Sequence, residues 1–362
     1  FTLMIVFIKK DLCENCLIYE KGDIKKAISA IEKGGLKIAL VLNNKNQLLG
    51  TICDGDIRRG LLTGLSIESP LSKVIKKKCI VASPKSSRKE IIKLMKDNGI
   101  SQIPILSDNS ELIGIEILKE ILPNENSFSN SNNALLMAGG RGTRLRPLTD
   151  DCPKPLIRLN GKPILEIILE KCIEEGINNF FISIHYLGEM IIDYFGDGSK
   201  WNVNIEYLKE DKPLGTAGAL SLLPKDLKNP ILIINGDVLT KTNIVDLFYY
   251  HSANNADITI CAREHVLNSP YGVLEVEGIK FKSIIEKPTF KHLVNAGIYI
   301  LNPELISLIE NNKYLDMPDL ISKSKSNLKN IIVYPVHEYW LDIGRPESLN
   351  QANYDLERNI LK

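Results

Sequence analysis

The sequence lacks an excess of charge of either sign. Its 362 residues contain 45 Lys and Arg against 44 Asp and Glu, which leaves a formal net charge of +1 at pH 7. A chain with this balance has no general attraction to nucleic acid or to an anionic membrane surface. We therefore expect no nucleic-acid partner, and any recognition of phosphate must come from local clusters of basic residues.

A disulfide framework and a membrane-spanning run are also missing. The seven cysteines are scattered and odd in number, which predicts reduced thiols and a cytoplasmic location. Cys13 and Cys16 form a lone CxxC pair without a second pair or histidines nearby, so we do not expect zinc there. The apolar run at residues 1–8 is too short to span a bilayer and lacks the features of a signal peptide, so we expect no membrane partner.

A stretch of small, polar, turn-forming residues at positions 123–133 predicts an exposed linker. It separates an N-terminal part, residues 1–122, from a C-terminal part, residues 134–362. The N-terminal part shows a helix-strand-turn-strand-helix pattern twice, at about residues 12–68 and 69–122. The pattern predicts an α+β region made of two similar repeats.

The two repeats resemble a tandem pair of CBS domains. The resemblance is carried by residues 50–59 and 103–108. In that family a hydroxyl residue binds the phosphate of an adenine nucleotide, and an Asp three positions later binds its ribose. Cys53 takes the hydroxyl position here while Asp56 is present, and the second repeat has Ile117 and Glu120. These departures favour structural or dimerising use of the pair over binding of an adenine nucleotide. Both alternatives stay open, and the first implies a homo-oligomer.

The C-terminal part alternates strand-like and helix-like runs. The strand-like runs are residues 134–138, 179–183, 203–208, 231–234, 257–261, 273–276, 282–285, 294–301 and 331–335. The helix-like runs are residues 164–175, 188–195, 217–223, 244–254, 303–310 and 347–361. This alternation predicts an α/β domain with a mixed, mostly parallel sheet flanked by helices. In such sheets ligands bind beyond the carboxyl ends of the strands.

The first strand runs into a glycine loop that matches neither common phosphate motif. Residues 139–145 read GGRGTRL, with Leu145 where a dinucleotide fingerprint has its third glycine, and no P-loop GK[ST] follows. The glycines nevertheless leave backbone N–H groups open to a polyphosphate. Arg144 and Lys154, the latter bracketed by two prolines, add positive charge. The pattern predicts a site for a polyphosphate.

This loop resembles the signature of the sugar-1-phosphate nucleotidyltransferases, LAGGxGTRLxPLT followed by PKP. The match runs from Leu136 to Pro155, with Met137 in place of the usual leading leucine. The resemblance implies a Rossmann-like nucleotidyltransferase domain whose glycine loop holds a nucleoside triphosphate. It assigns nucleotide binding to Ala138, Gly139, Gly140, Gly142 and Thr143, and catalytic phosphate contacts to Arg144 and Lys154.

Further stretches match the same family in order, over roughly residues 134–349. The segment 214–220, LGTAGAL, implies nucleotide contacts from Gly215, Thr216 and Ala217. The sugar-phosphate side is implied at Gly272, Glu286, Lys287 and Asn295, with Lys287 facing a phosphate. Asp237 after a hydrophobic strand and Asp342 in a late WLDIG segment are the implied Mg²⁺ ligands.

The reaction implied is attack by a phosphate oxygen of a sugar 1-phosphate on the α-phosphorus of a nucleoside triphosphate, with release of pyrophosphate. The attacking phosphate is already anionic near pH 7, so no general base is required. Positioning and electrostatic stabilisation should supply most of the catalysis. Arg144, Lys154, Asp237 and Lys287 are the residues expected to carry it.

The sequence motifs specify the nucleotide base and the sugar less closely than the reaction. LGTAGAL is typical of guanylyltransferases of the mannose-1-phosphate type, so GTP is the expected triphosphate, with uridylyl or thymidylyl transfer as alternatives. The whole architecture is similar to guanylyltransferases of bacterial legionaminic-acid pathways, which act on glucosamine 1-phosphate. It implies a role in surface-glycan or nonulosonic-acid synthesis, and the sugar stays open.

Two rivals belong to other classes. One is a CBS-linked nucleotide-binding regulator without catalysis, and the presence of both acidic residues and both cations argues against it. The other is an NAD-dependent oxidoreductase. It is disfavoured by the missing third glycine and by the absence of an acidic residue at the end of the second strand.

Overall fold

The computed structural model describes residues 8–9, 14–117 and 132–360. The chain divides into two units, residues 1–127 and 128–362. Residues 118–131 lie outside the described part, as do Cys13 and Glu120, so the linker and these positions stay predictions. Within the described ranges no helix combines the length and the apolar character needed to cross a bilayer.

The N-terminal unit contains two small sheets with helices beside them. Its strands are β1 (Ile8–Lys9), β2 (Leu17–Tyr19), β3 (Ile38–Leu42), β4 (Leu48–Cys53), β5 (Gln102–Leu106) and β6 (Leu112–Ile117). Its helices are α1 (Ile24–Gly34), α2 (Asp54–Leu62) and α3 (Arg88–Asp97). One sheet has the order β2-β3-β4 and the other β1-β6-β5. Each repeat therefore contains the predicted helix, strand, turn and strand, while the helix expected from residue 119 lies outside the described residues.

Local signals explain how these elements form. Helix α1 begins after Asp23, whose side chain accepts a hydrogen bond from Lys26 N (2.9 Å), and it ends at Gly35 with φ 63°. Ile38, Leu40 and Leu42 of one sheet pack with Leu112 and Ile115 of the other. The two repeats thus share an apolar core.

Asp56, which the CBS resemblance assigns to a ribose, is engaged within its own helix. Its carboxylate accepts hydrogen bonds from Cys53 N (2.9 Å) and Cys53 Sγ (2.8 Å) and from Arg59 Nη2 (2.5 Å). Burial, and then the neighbouring Asp56 charge, raise the pKa of Cys53 to about 11. Asp56 is the third residue of α2 and forms a capping box with Cys53, the N-cap residue, which agrees with structural use of the repeat.

The C-terminal unit is built on a seven-stranded sheet. Its strands are β7 (Asn133–Met137), β8 (Arg158–Leu159), β9 (Lys162–Pro163), β10 (Asn179–Ile184), β11 (Asn204–Lys209), β12 (Ile231–Asn235), β13 (Val238–Thr240), β14 (Ile258–Asn268), β15 (Val273–Glu277), β16 (Lys280–Ile285), β17 (Thr289–Leu301), β18 (Ile331–Val336) and β19 (Trp340–Asp342). Its helices are α4 (Ile164–Glu174), α5 (Gly188–Phe195), α6 (Gly215–Gly218), α7 (Ile244–Ala253), α8 (Met317–Ser326) and α9 (Pro346–Glu357).

The large sheet has the order β11-β10-β7-β12-β17-β14-β18. Strand β17 runs antiparallel to β12 and β14, and the remaining neighbours are parallel. The predicted fold class, a mixed and mostly parallel sheet, is confirmed. The central strands are apolar throughout because both faces are covered: Ala134 and Leu136 face one core cluster, while Leu135 faces the other.

Several elements differ from the sequence-based prediction. The helix predicted at residues 217–223 is α6 followed by a 3₁₀ turn, and the one predicted at 303–310 is a 3₁₀ helix, Pro303–Leu308. Helix α8 was not predicted. Strands β14 and β17 are longer than predicted because they continue beyond the sheet as an exposed ribbon, where the apolar pattern that marks a buried strand is lost.

Candidate nucleotide site

The glycine loop starts where three parallel strands end together. Ala138 N donates to Ser183 O of β10 (3.0 Å), and Gly236 N, just after β12, donates to Met137 O (2.8 Å). A side chain at Gly236 would place its Cβ 2.5 Å from Met137 O, so this approach of the two backbones requires glycine. The loop therefore leaves the carboxyl edge of the sheet from a fixed position.

Gly142 brings the loop against Lys154. It has φ 62° and precedes the 3₁₀ turn Thr143–Leu145, and its carbonyl accepts from Thr149 Oγ1 (3.0 Å). A Cβ at this position would lie 2.9 Å from both Lys154 Cβ and Thr149 Cγ2. Glycine is needed here both for its conformation and for the close approach.

Two adjoining clefts open beside the loop. The small cleft, about 190 Å³, is lined by residues that include Gly140, Gly142, Thr143, Arg144, Lys154 and Asp237. The large cleft, about 370 Å³, is lined by residues that include Ala138, Gly139, Glu210, Thr216, Tyr314 and Asp316. Gly140, Lys154 and Asp237 line both clefts, so a ligand can extend from one into the other.

Lys154 and Asp237 form an ion pair at the boundary between the clefts. Lys154 is 9% exposed and lies in the 3₁₀ turn Lys154–Leu156, while Asp237 lies between β12 and β13 and is half-buried. Charges withdrawn from water in this way need close partners. The pair therefore fixes both side chains at the carboxyl edge of the sheet.

A second carboxylate, Asp342, is brought beside Asp237 by the pairing of β13 with β19, in which Val238 is opposite Asp342. Burial, and then the Asp237 charge, raise the pKa of Asp342, against the opposing effect of Lys154 and Arg144. Arg144 is exposed and approaches Gly344. A Cβ added at Gly344 would lie 3.3 Å from Arg144 Nη1. Two carboxylates and two cations thus meet at this edge.

Glu210 contributes a further carboxylate to the large cleft. It follows β11 and is half-buried, and it accepts hydrogen bonds from Ser183 Oγ (2.9 Å) and Leu214 N (2.8 Å). A Cβ at Gly139 would lie 2.8 Å from Glu210 Oε1, so the carboxylate reaches the first glycine of the loop. Each carboxylate oxygen of Glu210 accepts only one of these two bonds, so each keeps a lone pair that can accept a hydrogen bond from a ligand.

The segment 214–220, which the resemblance predicts to contact the nucleotide and to indicate its base (the base-reading segment), lies on the same cleft. Gly215 and Thr216 line it, whereas Ala217 is fully buried and its N–H donates to Leu315 O (2.9 Å). The predicted residues that the structure brings together along the two clefts are Ala138, Gly139, Gly140, Gly142, Thr143, Arg144, Lys154, Gly215, Thr216 and Asp237.

The four residues predicted for the sugar phosphate line neither cleft. Gly272, Glu286 and Lys287 lie at the open end of the hairpin formed by β15 and β16, and a Cβ at Gly272 would be 2.7 Å from Glu286 Oε2. Lys287 is exposed and has φ 44°. Asn295, on β17, accepts from Gly297 N (3.0 Å) and donates to the Tyr299 hydroxyl (2.7 Å).

The sequence reasoning missed several cleft residues, among them Glu210, Tyr314 and Asp316. Glu210 follows a strand that had been predicted, so the rule that ligands bind beyond strand ends could have found it. Tyr314 and Asp316 carry no comparable signal, because they reach the cleft from the segment before α8, about 100 residues after Thr216.

Comparison with known proteins shows what this architecture belongs to. The family model for "Nucleotidyl transferase" matches residues 133–359, and the chain belongs to that family. A CBS-domain model matches residues 71–115 of the N-terminal unit. The nucleotidyltransferase family is thereby confirmed, and a CBS domain is confirmed in the second repeat, while a CBS domain in the first repeat stays a prediction.

Two curated relatives illustrate the likeness. The mannose-1-phosphate guanyltransferase of Pichia angusta is 33% identical over 227 residues, which cover 59% of this chain and 61% of that protein. The bifunctional protein GlmU of Methanococcus maripaludis is 33% identical over 239 residues, covering 63% of this chain and 55% of that protein. The chain thus spans less than two thirds of the length of these relatives.

A solved structure bears on the fold alone. A protein from Bacillus anthracis, provisionally named a glucose-1-phosphate thymidylyltransferase, superposes with a TM-score of 0.50 at 22% identity. The match covers 62% of this chain and 94% of that one.

Proposed function

We propose that the protein transfers a nucleotidyl group from a nucleoside triphosphate, GTP by preference, to a sugar 1-phosphate. An oxygen of the sugar phosphate forms a bond to the α-phosphorus, the bond from that phosphorus to the β-phosphate oxygen breaks, and pyrophosphate leaves. The observation that carries the proposal is the meeting of Arg144, Lys154, Asp237 and Asp342 beside the glycine loop.

Charge is the main obstacle in this reaction, because two anions must approach and charge builds up on the leaving pyrophosphate. Lys154, at the boundary of the clefts, is proposed to contact the phosphate that reacts, and the exposed Arg144, which lines the small cleft, is proposed to contact the phosphates that leave. Glu286 and Lys287 are proposed for the sugar phosphate.

Mg²⁺ is the proposed cofactor, held by Asp237 and Asp342. The site fits a hard divalent cation because its donors are carboxylate oxygens. Burial, and then the Asp237 charge, raise the pKa of Asp342, and such a cation would offset the repulsion between the two carboxylates. When bound, Mg²⁺ neutralises charge on phosphate oxygens. Activity that persists in excess EDTA would contradict this part of the proposal.

The carboxylate of Glu210 favours guanine. A triphosphate would be repelled by this charge, so the end of the large cleft near Glu210 suits a base. Guanine offers two neighbouring donors, N1–H and the N2 amino group, to an acceptor-only carboxylate, whereas uracil and thymine offer one N–H between two carbonyl oxygens. The name of the relative from Pichia angusta, a mannose-1-phosphate guanyltransferase, supports the same choice.

Measurements of turnover distinguish the proposed guanylyltransferase from the uridylyl- or thymidylyltransferase and from the regulator without catalysis. Pyrophosphate release is measured with GTP, ATP, UTP and dTTP against a panel of sugar 1-phosphates that includes glucosamine 1-phosphate and mannose 1-phosphate. We expect release that depends on both substrates and is fastest with GTP. Preference for UTP or dTTP supports the uridylyl or thymidylyl alternative, and binding of GTP without turnover supports the regulator.

A further inference from the structure

The segment 313–317, between the 3₁₀ helix Pro303–Leu308 and α8, is bound to the base-reading segment along the backbone. Ala217 N and Gly218 N both donate to Leu315 O (2.9 and 3.0 Å), and Leu315 N donates to Leu214 O (2.9 Å). The two stretches, far apart in sequence, therefore move as one piece.

The glycines of the base-reading segment are required by this contact. Gly215 has φ 79°, and a Cβ there would lie 2.6 Å from Leu315 O. A Cβ at Gly218 would lie 2.5 Å from Lys313 O. Both glycines therefore permit close approach of the segment 313–317, in addition to any contact with a ligand.

Asp316 is the centre of the contact. Its Oδ1 accepts hydrogen bonds from Thr216 N (3.0 Å) and Thr216 Oγ1 (3.2 Å), and its Oδ2 accepts one from the Tyr314 hydroxyl (2.7 Å). Thr216 Oγ1 also accepts from Met317 N (2.8 Å). Burial opposes the charge, but the hydrogen bonds from Tyr314 and Thr216 leave the pKa of Asp316 below its usual value. The hydroxyl and N–H of Thr216 are thus already engaged with the neighbouring segment.

Tyr314 is held differently from an ordinary surface tyrosine. Its side chain lines the large cleft and is 63% exposed, yet its hydroxyl is fixed by Asp316. An aromatic ring restrained at the wall of a cleft can stack on the face of a base without losing further conformational freedom. The same cleft contains Glu210, whose carboxylate suits the edge of guanine.

We infer that the segment 313–317 forms the outer wall of the base site, with the Tyr314 ring stacking on a purine base. Asp316 is a positioning residue: it orients Tyr314 and fixes the base-reading segment through Thr216. The inference rests on the proposed function to the extent that a nucleoside triphosphate occupies the clefts. It adds a base contact that the sequence motifs did not indicate.

Binding of GTP and of inorganic tripolyphosphate, measured by calorimetry on the full-length protein with Mg²⁺, tests the stacking. Tripolyphosphate lacks a base, so it reports the phosphate contacts alone. Tyr314→Ala should weaken GTP binding about tenfold, as expected for loss of one stacked base, and leave tripolyphosphate binding unchanged. Tyr314→Phe, which keeps the ring, should retain most of the GTP affinity.

The matched control is Tyr249→Ala on α7, because Tyr249 is equally exposed at 64% and does not line the large cleft. It should leave both affinities unchanged. Equal weakening of GTP and tripolyphosphate by Tyr314→Ala, or no weakening of either, would overturn the inference. A wild-type protein that does not bind GTP would contradict the proposed function itself, which separates the two failures.

The role of Asp316 is tested by the selectivity of the enzyme for GTP over UTP. Asp316→Ala should lower the ratio of kcat/KM for GTP to that for UTP, and Asp316→Asn, which keeps one acceptor for Thr216, should restore part of it. Melting temperature is followed in parallel. An unchanged ratio in Asp316→Ala, or a loss of activity that is equal for the two triphosphates and follows a lower melting temperature, would contradict the positioning role.

Discussion

The ion pair between Lys154 and Asp237 sets the charge at the point where the two clefts meet. A bound triphosphate adds phosphate oxygens that compete with Asp237 for the ammonium group. Lys154 is nearly buried, so its partner is decided by the few groups that reach the site and hardly by bulk water. We expect Lys154 to exchange part of its contact with Asp237 for phosphate when the nucleotide binds.

Under the proposed function the Glu210 carboxylate selects guanine over uracil and thymine, and Glu210→Gln tests this role. An amide can accept from Leu214 N through its oxygen and donate to Ser183 Oγ, so the local hydrogen bonds are retained. It no longer complements the two donors of guanine, but it suits the alternating groups of uracil. The ratio of kcat/KM for GTP to that for UTP should fall by about ten- to a hundredfold.

The control for this variant is Glu206→Gln, an exposed glutamate on β11, the strand that precedes Glu210. It should leave the ratio unchanged. An unchanged ratio in Glu210→Gln would show that the carboxylate does not read the base.

Residues such as Arg144 and Lys154 could be predicted because they lie within one short motif whose spacing is itself the signal. The position of Glu210 beside Gly139, and of Asp316 beside Thr216, depends on contacts between distant parts of the chain. A single sequence does not show such contacts. The same limit applies to Asp342, which was assigned by resemblance. Asp342 lies beside Asp237 because β13 pairs with β19.

Among the elements, the long apolar strands were predictable because both faces of the central sheet are buried. Strand β13 and strand β19 were not, since each has three residues and exists through pairing with the other. Helix α8 was missed although Asp316 precedes it and Pro318 lies in its first turn, which are recognised start signals. Its many Ser and Lys residues conceal the apolar face formed by Met317 and Leu320.

The glycine loop is the element whose geometry the site depends on most. Gly142→Ala would impose a left-handed conformation on alanine and push its Cβ against Lys154 and Thr149. We expect loss of more than about 2 kcal/mol of unfolding free energy. Displacement of Lys154 should also reduce the rate up to about a hundredfold.

Gly161→Ala separates the cost of a left-handed alanine from the cost of the Cβ contacts. Gly161 also has a positive φ, of 86°, but a Cβ there meets no atom within 4 Å. It should cost about 1–2 kcal/mol of unfolding free energy for the backbone alone and leave the rate unchanged. Equal effects of the two variants in denaturant titration and in turnover would contradict the role given to the loop contact.

At the scale of the whole molecule, a nucleotidyl transferase unit follows an N-terminal unit that contains a CBS match. The first repeat retains Asp56, but the carboxylate is engaged by Cys53 and Arg59. This arrangement favours a structural role for the repeats. Binding of an adenine nucleotide and a cytoplasmic location both stay predictions.

The predicted CBS pair is expected to self-associate, so we expect the protein to be at least a dimer. Light scattering coupled to size-exclusion chromatography should give a mass of two chains or more over a range of protein concentrations. A mass of one chain throughout that range would contradict the prediction without affecting the proposed reaction.

The most direct test of the central claim is turnover of Asp237→Asn with GTP and the sugar 1-phosphate that the wild type uses best. Loss of the charge at the meeting point of the clefts should reduce the rate several hundredfold, which corresponds to about 3–4 kcal/mol of barrier, while the circular dichroism spectrum is retained. Asp226→Asn, the same change at an exposed position that lines neither cleft, should be as active as the wild type. Pyrophosphate release by Asp237→Asn at the wild-type rate would contradict the account.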